Sequence, residues 1–488
     1  MIDVAIVGAG FAGLGAAVRL REAGVSNLVI FERANDLGGT WRDNVYPGCR
    51  CDVASNLYSF SFAPNPDWSN TYSYQPEIWR YLRDVAAAND LNDLIRYDHA
   101  VTDVAFDEST SLWRLTTSQG PVLARAVVLA VGALAEPRRP DIAGLDSFTG
   151  PVLHTASWDA AVEFCGRRVG VIGTGASAIQ VVPHLAATAK RLSIFQRTPP
   201  WILPHEGHRV PARTRWLYRH LPGRQRLARL TYYLRRELLV LGFVKNPQRM
   251  SVGERQALDF LTDQIPDPHL RARLTPTYRM GCKRVLLSND YYPALRRDSV
   301  ALITEPIERV VPEGIRSTDG AVHPLDVLVL ATGFRVTDHP MGALVRGRAG
   351  ATVGEALSGD LAHYLGTSFP GFPNLYMLAG PNTGLGHSSI IYMIESQLNY
   401  VVDAISIALT RRLLVEPTAL AARHWTARVR DQLPSTIWAT GCSSWYLTES
   451  GLNTTIWPDF TFRFRRATRG FRLRDHRLTP AGQGSVER

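Results

Sequence analysis

Two glycine-rich turns in the chain have the spacing of a phosphate-binding loop. Residues 8–13 read GAGFAG and residues 173–178 read GTGASA. The first glycine of such a turn permits the tight bend, the second lets backbone approach a pyrophosphate, and the small third residue lets the helix pack closely on the strand. The amide groups of the helix N-terminus then face the anion. The two turns therefore predict two dinucleotide-binding sites.

The elements around the two turns repeat one another. Each turn follows an apolar β run and precedes an amphipathic helix and a second β run, which ends in a charged residue. Gly8 and Gly173 are 165 residues apart, and so are the charged ends, Glu32 and Arg197. A lone motif is weak evidence, but a repeat that keeps both features indicates two βαβ units.

The two charged ends predict which nucleotide each unit binds. Glu32 can accept hydrogen bonds from ribose hydroxyls but would repel a 2′-phosphate, by about 4 kcal/mol per charge pair at 4 Å. Arg197 offers a bidentate fork to that phosphate, with Lys190, His205 or Lys283 as additional charges. We expect FAD at the first site and NADPH at the second. The predicted contacts at the turns are Gly8, Gly10, Gly13, Glu32, Gly173, Thr174, Gly175, Ala176, Ser177, Ala178, Gln180, Arg197, Thr198 and Lys283.

The order of these segments predicts an α/β fold with two Rossmann-like domains, the NADP domain inserted in the FAD domain. Apolar runs at residues 126–131 and 327–333 are placed where the chain would leave and re-enter the first domain. Proline near these runs marks the boundaries. We predict an FAD domain at 1–140 and 325–488, and an NADP domain at 141–324 whose insert at about 205–280 forms a helical cap.

Composition excludes several classes of protein. The 488 residues are 45% hydrophobic and 20% charged, which is ordinary for a globular chain and argues against disorder or a fibre. The longest apolar run, residues 126–135, is about half of what a membrane-spanning helix needs. The chain opens directly into an apolar β run, which predicts a cytoplasmic protein. Reduced thiols and no zinc site are expected from the five scattered cysteines, which are Cys49, Cys51, Cys165, Cys282 and Cys442.

Positive charge is concentrated in two segments. Residues 205–250 hold eleven Arg or Lys against two Glu, and residues 463–488 hold eight Arg against one Asp and one Glu. No aromatic and basic RNA-binding motif accompanies them, so we do not expect a nucleic-acid partner. Arg and Leu recur at helical spacing between residues 217 and 241, which is compatible with a lid over the cofactor cleft or with docking on an anionic membrane.

Three further stretches resemble the flavin-dependent Baeyer-Villiger monooxygenases of the two-dinucleotide type. Residues 148–159 read FTGPVLHTASWD, matching the pattern of Phe, Gly, His and Trp followed by Pro or Asp in that family. N- and S-oxidising flavin monooxygenases carry Tyr or Phe where this chain has Trp158. Residues 38–41 (GGTW) and 46–48 (YPG) match as well, as does Lys283-Arg284 followed by two tyrosines. The resemblance spans nearly the whole chain, although the 205–280 insert looks shorter than in larger members.

The resemblance implies roles for particular residues. Arg284 is the implied active-site arginine, with Asp52 beside it, and Lys283 is implied to help bind the NADP phosphate. The implied flavin-side contacts are Ala12, Glu32, Gly39, Thr40, Trp41, Asp52, Tyr58 and Val101. A C-terminal loop rich in aromatic residues, around 438–457, is implied to fold over NADP and substrate, although a small aromatic core would give the same pattern.

The chemistry explains why an arginine is needed. Reduced flavin and O2 give a C4a-peroxyflavin, which attacks a ketone carbonyl as an anion and, once protonated, suits sulfur or amines instead. Arg284 would be charged at any working pH and would stabilise the anion and the oxygen charge that develops on the way to an ester or lactone. Asp52 would orient the guanidinium.

Two histidines and three alternative functions remain to be considered beside this prediction. His154 is interpreted as a linker residue that couples domain rotation to flavin reduction, and His387 has no assigned role. An N- or S-oxidising monooxygenase remains the alternative within flavoenzymes. A disulfide reductase is disfavoured because Cys49 and Cys51 are separated by one residue rather than four. A nucleotide-sensing binding protein is the non-enzymatic alternative.

Overall fold

The computed structural model describes residues 1–338, 340–358, 362–442 and 444–482. Its strands are β1 Ile2–Val7, β2 Leu28–Phe31, β3 Ile95–Arg96, β4 Val101–Asp107, β5 Leu112–Thr117, β6 Gly120–Leu129, β7 Val152–His154, β8 Arg168–Ile172, β9 Arg191–Phe195, β10 Ile202–Leu203, β11 Leu286–Leu287, β12 Val300–Ile303, β13 Ile307–Val311, β14 Gly314–Ser317, β15 Val322–Pro324, β16 Val327–Leu330, β17 Val345–Arg346, β18 Leu375–Met377, β19 Leu413–Pro417 and β20 His476–Pro480. Its α-helices are α1 Phe11–Glu22, α2 Thr40–Asp43, α3 Gln75–Ala88, α4 Ala176–Thr188, α5 Ala212–His220, α6 Arg224–Leu238, α7 Met250–Gln264, α8 Pro268–Leu274, α9 Tyr291–Leu295, α10 Met341–Leu344, α11 Val353–Ser358, α12 Ile390–Arg411, α13 Ala419–Arg430 and α14 Thr461–Ala467.

The first sheet holds the N-terminal βαβ unit. Its strand order is β17-β4-β5-β6-β1-β2-β3, with β18 also paired to β6. Strand β1 is parallel to both β2 and β6, whereas β4, β5 and β6 form an antiparallel meander. The central strand is buried on both faces, which is why it reads as a continuous apolar run rather than an alternating one.

The second sheet holds the repeated unit. Its order is β12-β9-β8-β16-β7, and every pairing is parallel. The chain is therefore α/β with two Rossmann-like units, as the sequence predicted. One detail was wrong, because the run that begins at Val327 does not re-enter the first sheet. Residues Val327–Leu330 pair with β8 and β7, so the return to the first sheet comes after Leu330.

Helices α5 to α8 form the cap, between β10 and β11. Helix α6 lies against the loop that follows α2, since Arg229 donates to the carbonyl oxygens of Asn56 and Ser59 at 3.0 and 2.8 Å. Helix α12 is the long buried helix of the first unit and contacts α1, α14 and β19. Its first turn is capped by Ser389, whose hydroxyl accepts from the Ile391 amide. None of the helices in the described ranges combines the length and the apolarity that crossing a bilayer requires.

The cysteines depart from the expectation of free thiols. Cys282 and Cys442 form a disulfide, with Cα atoms 6.2 Å apart and 160 residues between them in sequence. Cys49, Cys51 and Cys165 are free. The prediction failed because the pairing depends on tertiary contact between the segment before Arg284 and the C-terminal loop, which spacing alone cannot reveal.

Candidate active site

The first glycine turn forms an open backbone cradle. Gly8 has a φ of +105°, and a Cβ at Gly13 would stand 1.8 Å from the Gly8 carbonyl oxygen. A side chain at either position is therefore excluded. Gly10 is the N-cap residue of α1 and faces Gly39, since a Cβ on Gly10 would lie 3.7 Å from the Gly39 Cα. Ala12 is buried in the first turn of the helix. The two backbone segments meet at the helix N-terminus, where a pyrophosphate would bind.

Glu32 lies beside this cradle with its carboxylate already oriented. One oxygen accepts from the Ala9 amide at 2.9 Å, and the other accepts from the Ala34 amide at 3.1 Å and from Arg42 at 2.7 Å. Arg42 was missed by the sequence reasoning, although it follows Trp41 directly in a stretch that carries the family resemblance. Each carboxylate oxygen can accept more than one hydrogen bond, so the pairing fixes Glu32 while leaving it able to bind ribose.

The residues implied to contact the flavin fall into one connected group and one outlier. Trp41 is buried, and its indole N–H donates to the Tyr58 hydroxyl at 3.1 Å. Thr40 begins α2 directly after Gly39 and donates to the Leu134 carbonyl at 3.3 Å. Val101, by contrast, begins β4, three strands from β1 in the sheet. Val101 is connected to the first cradle through its neighbour His99, two residues earlier, whose amide donates to the Glu32 carbonyl at 2.9 Å.

The second glycine turn repeats the first. Gly173 has a φ of +113°, and Gly175 is the N-cap residue of α4, with open space where its Cβ would be. Ala176 and Gly175 are exposed, Ala178 is buried against the sheet, and Ser177 lies near Tyr46.

Two polar side chains anchor this second turn to other parts of the chain. Thr174 donates to the Thr198 carbonyl at 3.0 Å. Gln180 accepts from the Tyr46 hydroxyl at 2.9 Å and donates to the Arg50 carbonyl at 3.1 Å. It therefore ties α4 to the first unit.

Arg197 and Lys283 form the cationic end of the second site. Arg197 is exposed just past β9, and burial together with the Arg197 charge lowers the pKa of Lys283. Two neighbouring cations of this kind favour a bound anion. The other two proposed charges were wrong. Lys190 precedes Arg191 at the opposite end of β9, and burial lowers the pKa of His205 to about 4, so it is neutral near pH 7.

Arg284 and Asp52 form a bidentate ion pair. Arg284 Nε donates to Asp52 Oδ2 at 2.6 Å, and Nη2 donates to Oδ1 at 2.8 Å. The two side chains are 27% and 29% exposed, so the pair is partly accessible to solvent. Burial alone would lower the pKa of Arg284, but the Asp52 carboxylate outweighs it and the pKa is raised. Burial likewise opposes the charge on Asp52, and Arg284 outweighs it, so the Asp52 pKa is lowered. Both groups are charged at neutral pH.

The third hydrogen bond of Arg284 reaches the segment that leads into helix α12. Arg284 Nη1 donates to the Leu385 carbonyl at 3.2 Å. A Cβ on the neighbouring Gly386 would lie 3.0 Å from Trp438, so the aromatic loop packs directly on this segment. The Tyr446 hydroxyl is buried, and burial raises its pKa while the Arg284 charge lowers it. The C-terminal loop therefore covers the arginine.

Two histidines near the site differ in their surroundings. His154 ends β7, and its Nδ1 accepts from the Ala156 amide at 3.0 Å. Burial lowers its pKa to about 4, so the imidazole is neutral near pH 7. His387 is buried with Glu237 as its nearest charged group, 3.7 Å from Nε2. Glu237 comes from the cap, so His387 lies where the cap meets the first unit.

The buried thiols of Cys49 and Cys51 are unsuited to redox exchange with a flavin. Burial raises the pKa of the Cys49 thiol to about 12 and raises that of Cys51 further, so neither forms the thiolate that attacks a disulfide. Within the described residues, no group of three His, Cys, Asp or Glu side chains lies together as metal ligands would.

Comparisons with known proteins agree with this arrangement. Residues 5–210 match the family described as pyridine nucleotide-disulphide oxidoreductase. A Baeyer-Villiger monooxygenase of Streptomyces coelicolor is 46% identical, over 98% of this chain and 93% of that protein, and one of Pseudomonas aeruginosa is 43% identical, over 98% and 91%. A crystal structure of OTEMO in complex with FAD and NADP superimposes with a TM-score of 0.88 at 27% identity, covering 98% of this chain and 99% of that one.

Fold and site together define an oxidoreductase with two dinucleotide sites on one chain. The chain is more than 40% identical to these two monooxygenases over almost its full length, which is far more than proteins that share only a fold. The chain belongs to the Baeyer-Villiger monooxygenase family.

Proposed function

We propose that this protein uses NADPH and O2 to insert one oxygen atom beside the carbonyl of a small-molecule ketone, giving an ester or a lactone. The observation that carries the proposal is the Arg284–Asp52 ion pair, whose guanidinium also donates to the Leu385 carbonyl, next to the point where Trp438 of the C-terminal loop packs. Buried thiols at Cys49 and Cys51 argue against disulfide reduction.

The cradles fit the two nucleotides that this reaction needs. At the first, glycine is required by sterics at Gly8 and Gly13, and Glu32 is set to bind a ribose that lacks a 2′-phosphate. FAD would be held there, with Trp41 and Tyr58 on the flavin side. When bound, FAD accepts a hydride from NADPH and its reduced ring then activates O2. At the second cradle, Arg197 and Lys283 would hold the 2′-phosphate of NADPH.

Arg284 has three duties in this scheme. It keeps a positive charge beside the site of oxygen transfer, it stabilises the negative charge that develops on oxygen, and it disfavours protonation there. Asp52 fixes the guanidinium plane through two hydrogen bonds, which a lysine could not reproduce. Tyr446, which is buried in the C-terminal loop, lies close to the arginine. His154, neutral and hydrogen-bonded, would act in domain movement rather than in proton transfer.

The proposed function also includes domain boundaries and a cellular location. We place the FAD domain at 1–140 and 325–488 and the NADP domain at 141–324 with its cap at about 205–280, except that the strand Val327–Leu330 belongs with the second sheet. NADPH is an intracellular reductant, which supports a cytoplasmic location. Cell fractionation with an antibody to the protein tests it.

A substrate panel tests the proposed reaction. The purified protein should be yellow, should oxidise NADPH well ahead of NADH, and should add one oxygen atom to at least one linear, cyclic, aryl or steroid ketone, as judged by product mass. Oxidation of thioethers or amines without any ester would favour the N- or S-oxidising alternative. Binding of both nucleotides without turnover on any substrate would favour the nucleotide-sensing protein.

A further inference from the structure

Apart from Tyr232 and Tyr233, which pack against the core, helix α6 contacts the protein through polar residues. Gln225 donates to Asn56 at 3.0 Å, Arg236 donates to the Asp52 carbonyl at 3.2 Å, and Glu237 accepts from Thr461 at 2.6 Å. These residues lie on one side of the helix, together with Arg229. An amphipathic helix on a globular protein normally packs through its apolar side. The orientation of α6 is therefore the reverse of the usual one.

The apolar side of α6 faces outward. Its exposed leucines are Leu227, Leu230, Leu234 and Leu238, at 59%, 48%, 52% and 64% exposure. Their spacing of three and four residues places them in one continuous stripe along the helix. Single exposed leucines need no explanation, but a contiguous stripe marks an interaction site.

Helix α14 extends this surface. It lies beside α6, because Thr461 binds Glu237 and because Tyr392 is stacked on Tyr233, 4.9 Å between centroids, and lies under Arg465 at 5.2 Å. The two basic segments of the sequence thus meet in space. Between α12 and α14 is a groove of about 420 Å³, lined by Tyr392, Asn399, Phe462, Arg465, Arg466 and Arg469.

Exposed arginines flank the leucine stripe. Arg224, Arg226 and Arg235 on α6 are exposed, and so are the groove arginines Arg465 and Arg466. Within the described ranges, none of these five has an ion-pair partner. We call the leucine stripe of α6, its three flanking arginines and the α14 groove the basic face.

We propose that the basic face docks on an anionic phospholipid bilayer. The leucine stripe would enter the boundary between headgroups and acyl chains, and the groove arginines would bind headgroup phosphates. Charge complementarity selects this occupant, because unpaired arginines surround the apolar stripe. Docking does not depend on which substrate the enzyme oxidises. It would place the outer side of the cap on the bilayer while the inner side remains in contact with the Asp52 loop.

Other occupants fit the face less well. A nucleic acid would use the arginines but would leave four leucines exposed to water. A second copy of the chain joined through the same face would bring like charges together, which costs binding energy.

Sedimentation with lipid vesicles tests the proposal on the full-length, FAD-loaded protein. We expect at least tenfold more protein on phosphatidylglycerol-containing vesicles than on pure phosphatidylcholine at low salt, and a large loss at high salt. The double variant Leu230→Glu with Leu234→Glu should bind at least tenfold less while it keeps its flavin and its NADPH oxidation. Leu123→Glu, a matched change at an exposed leucine of β6, should bind like the wild type.

Several results would overturn the proposal. One is equal binding to neutral and anionic vesicles, or none to either. Another is full binding by the double leucine variant. Displacement from vesicles by RNA or DNA at the same salt would assign the face to nucleic acid. Self-association without lipid, lost in the double variant, would assign it to a second copy.

Discussion

At the scale of residues, the account depends on charges that the fold keeps fixed. Glu32 and Arg284 are both held by two or more hydrogen bonds before any ligand arrives, so little reorganisation is needed when charge develops. The sequence identified these residues because a ribose needs an acidic acceptor and an oxygen anion needs a permanent cation. It missed Arg42, whose pairing with Glu32 has no sequence signal, and it credited Lys190 and His205 with charges that position and burial remove.

The role of Arg284 predicts a selective loss. Arg284→Ala should still allow NADPH to reduce the flavin but should lower ester formation by about 10²- to 10³-fold, the scale of losing a preorganised charge stabiliser. Stopped-flow reduction and product yield measure the two steps separately. Arg279→Ala, in the same segment but paired with Glu254, is the control and should retain ester formation. Normal ester yield in Arg284→Ala would remove the assignment.

Arg197 predicts a change in nucleotide preference. Arg197→Ala should raise KM for NADPH by about 10- to 100-fold, the loss expected for a charge-assisted hydrogen bond, with little change for NADH. Steady-state kinetics with both nucleotides provide the measurement. Lys190→Ala, at the far end of β9, should change neither value. An equal effect of Arg197→Ala on NADPH and NADH would contradict the phosphate role.

At the scale of elements, the C-terminal loop is the segment that joins the site together. It packs on the segment around Leu385 through Trp438 and is joined to the arginine-bearing segment by the Cys282–Cys442 disulfide. The family resemblance implied a covering loop, and the aromatic pattern alone left a small buried core open; Trp438 and Tyr446 do lie in a buried apolar cluster with Phe243 of the cap. Neither line of reasoning foresaw the covalent link. Sequence reasoning also assigned the strand Val327–Leu330 to the wrong sheet, because a buried parallel strand reads the same in either one.

The disulfide predicts a change in the mobility of the loop. Unfolded, unreduced protein should titrate three thiols and reduced protein five. Cys442→Ser or reduction should speed proteolysis within residues 436–456 several-fold, because the loop then opens more readily. Limited proteolysis with mass spectrometry locates the cuts. Cys165→Ser, at an exposed free thiol, should leave the rate unchanged. Five thiols without reduction would show that the link is absent.

At the scale of the whole molecule, the repeat of the βαβ unit was the most predictable feature. At Gly13 and Gly173 a side chain would collide with backbone atoms, so only glycine fits. The spacing of these glycines can therefore be recognised in the sequence. The packing of one element against another was less predictable. The reversed packing of α6, which turns leucines outward, follows from polar partners on distant segments such as Asn56 and Thr461. The residue pattern of the helix itself does not predict those partners.

Buried histidines predict how stability depends on pH. Burial lowers the pKa values of His154, His205 and His363 to about 4. The unfolded chain therefore binds more protons than the folded one between about pH 6.5 and 4. Stability is full above this window and is lost as the pH falls through it. Each group contributes about 1 kcal/mol to the difference between pH 7.5 and 5.5.

Thermal unfolding at the two pH values checks this dependence. His363→Gln should weaken the dependence of Tm on pH by roughly a third, since it removes one of three such groups. His208→Gln, at an exposed histidine, should leave it unchanged. A wild-type Tm that is the same at pH 5.5 and 7.5 would contradict the prediction.

Isotope labelling shows whether oxygen from O2 enters the ketone product. The wild-type enzyme, given NADPH and each ketone of the substrate panel in turn, is supplied with ¹⁸O2 in ordinary water, and the masses of the products are determined. We predict an ester or lactone that contains one ¹⁸O atom, with the second oxygen of O2 released as water. Unchanged ketone together with labelled hydrogen peroxide, or an oxidised thioether or amine as the labelled product in a mixed panel, would contradict the account.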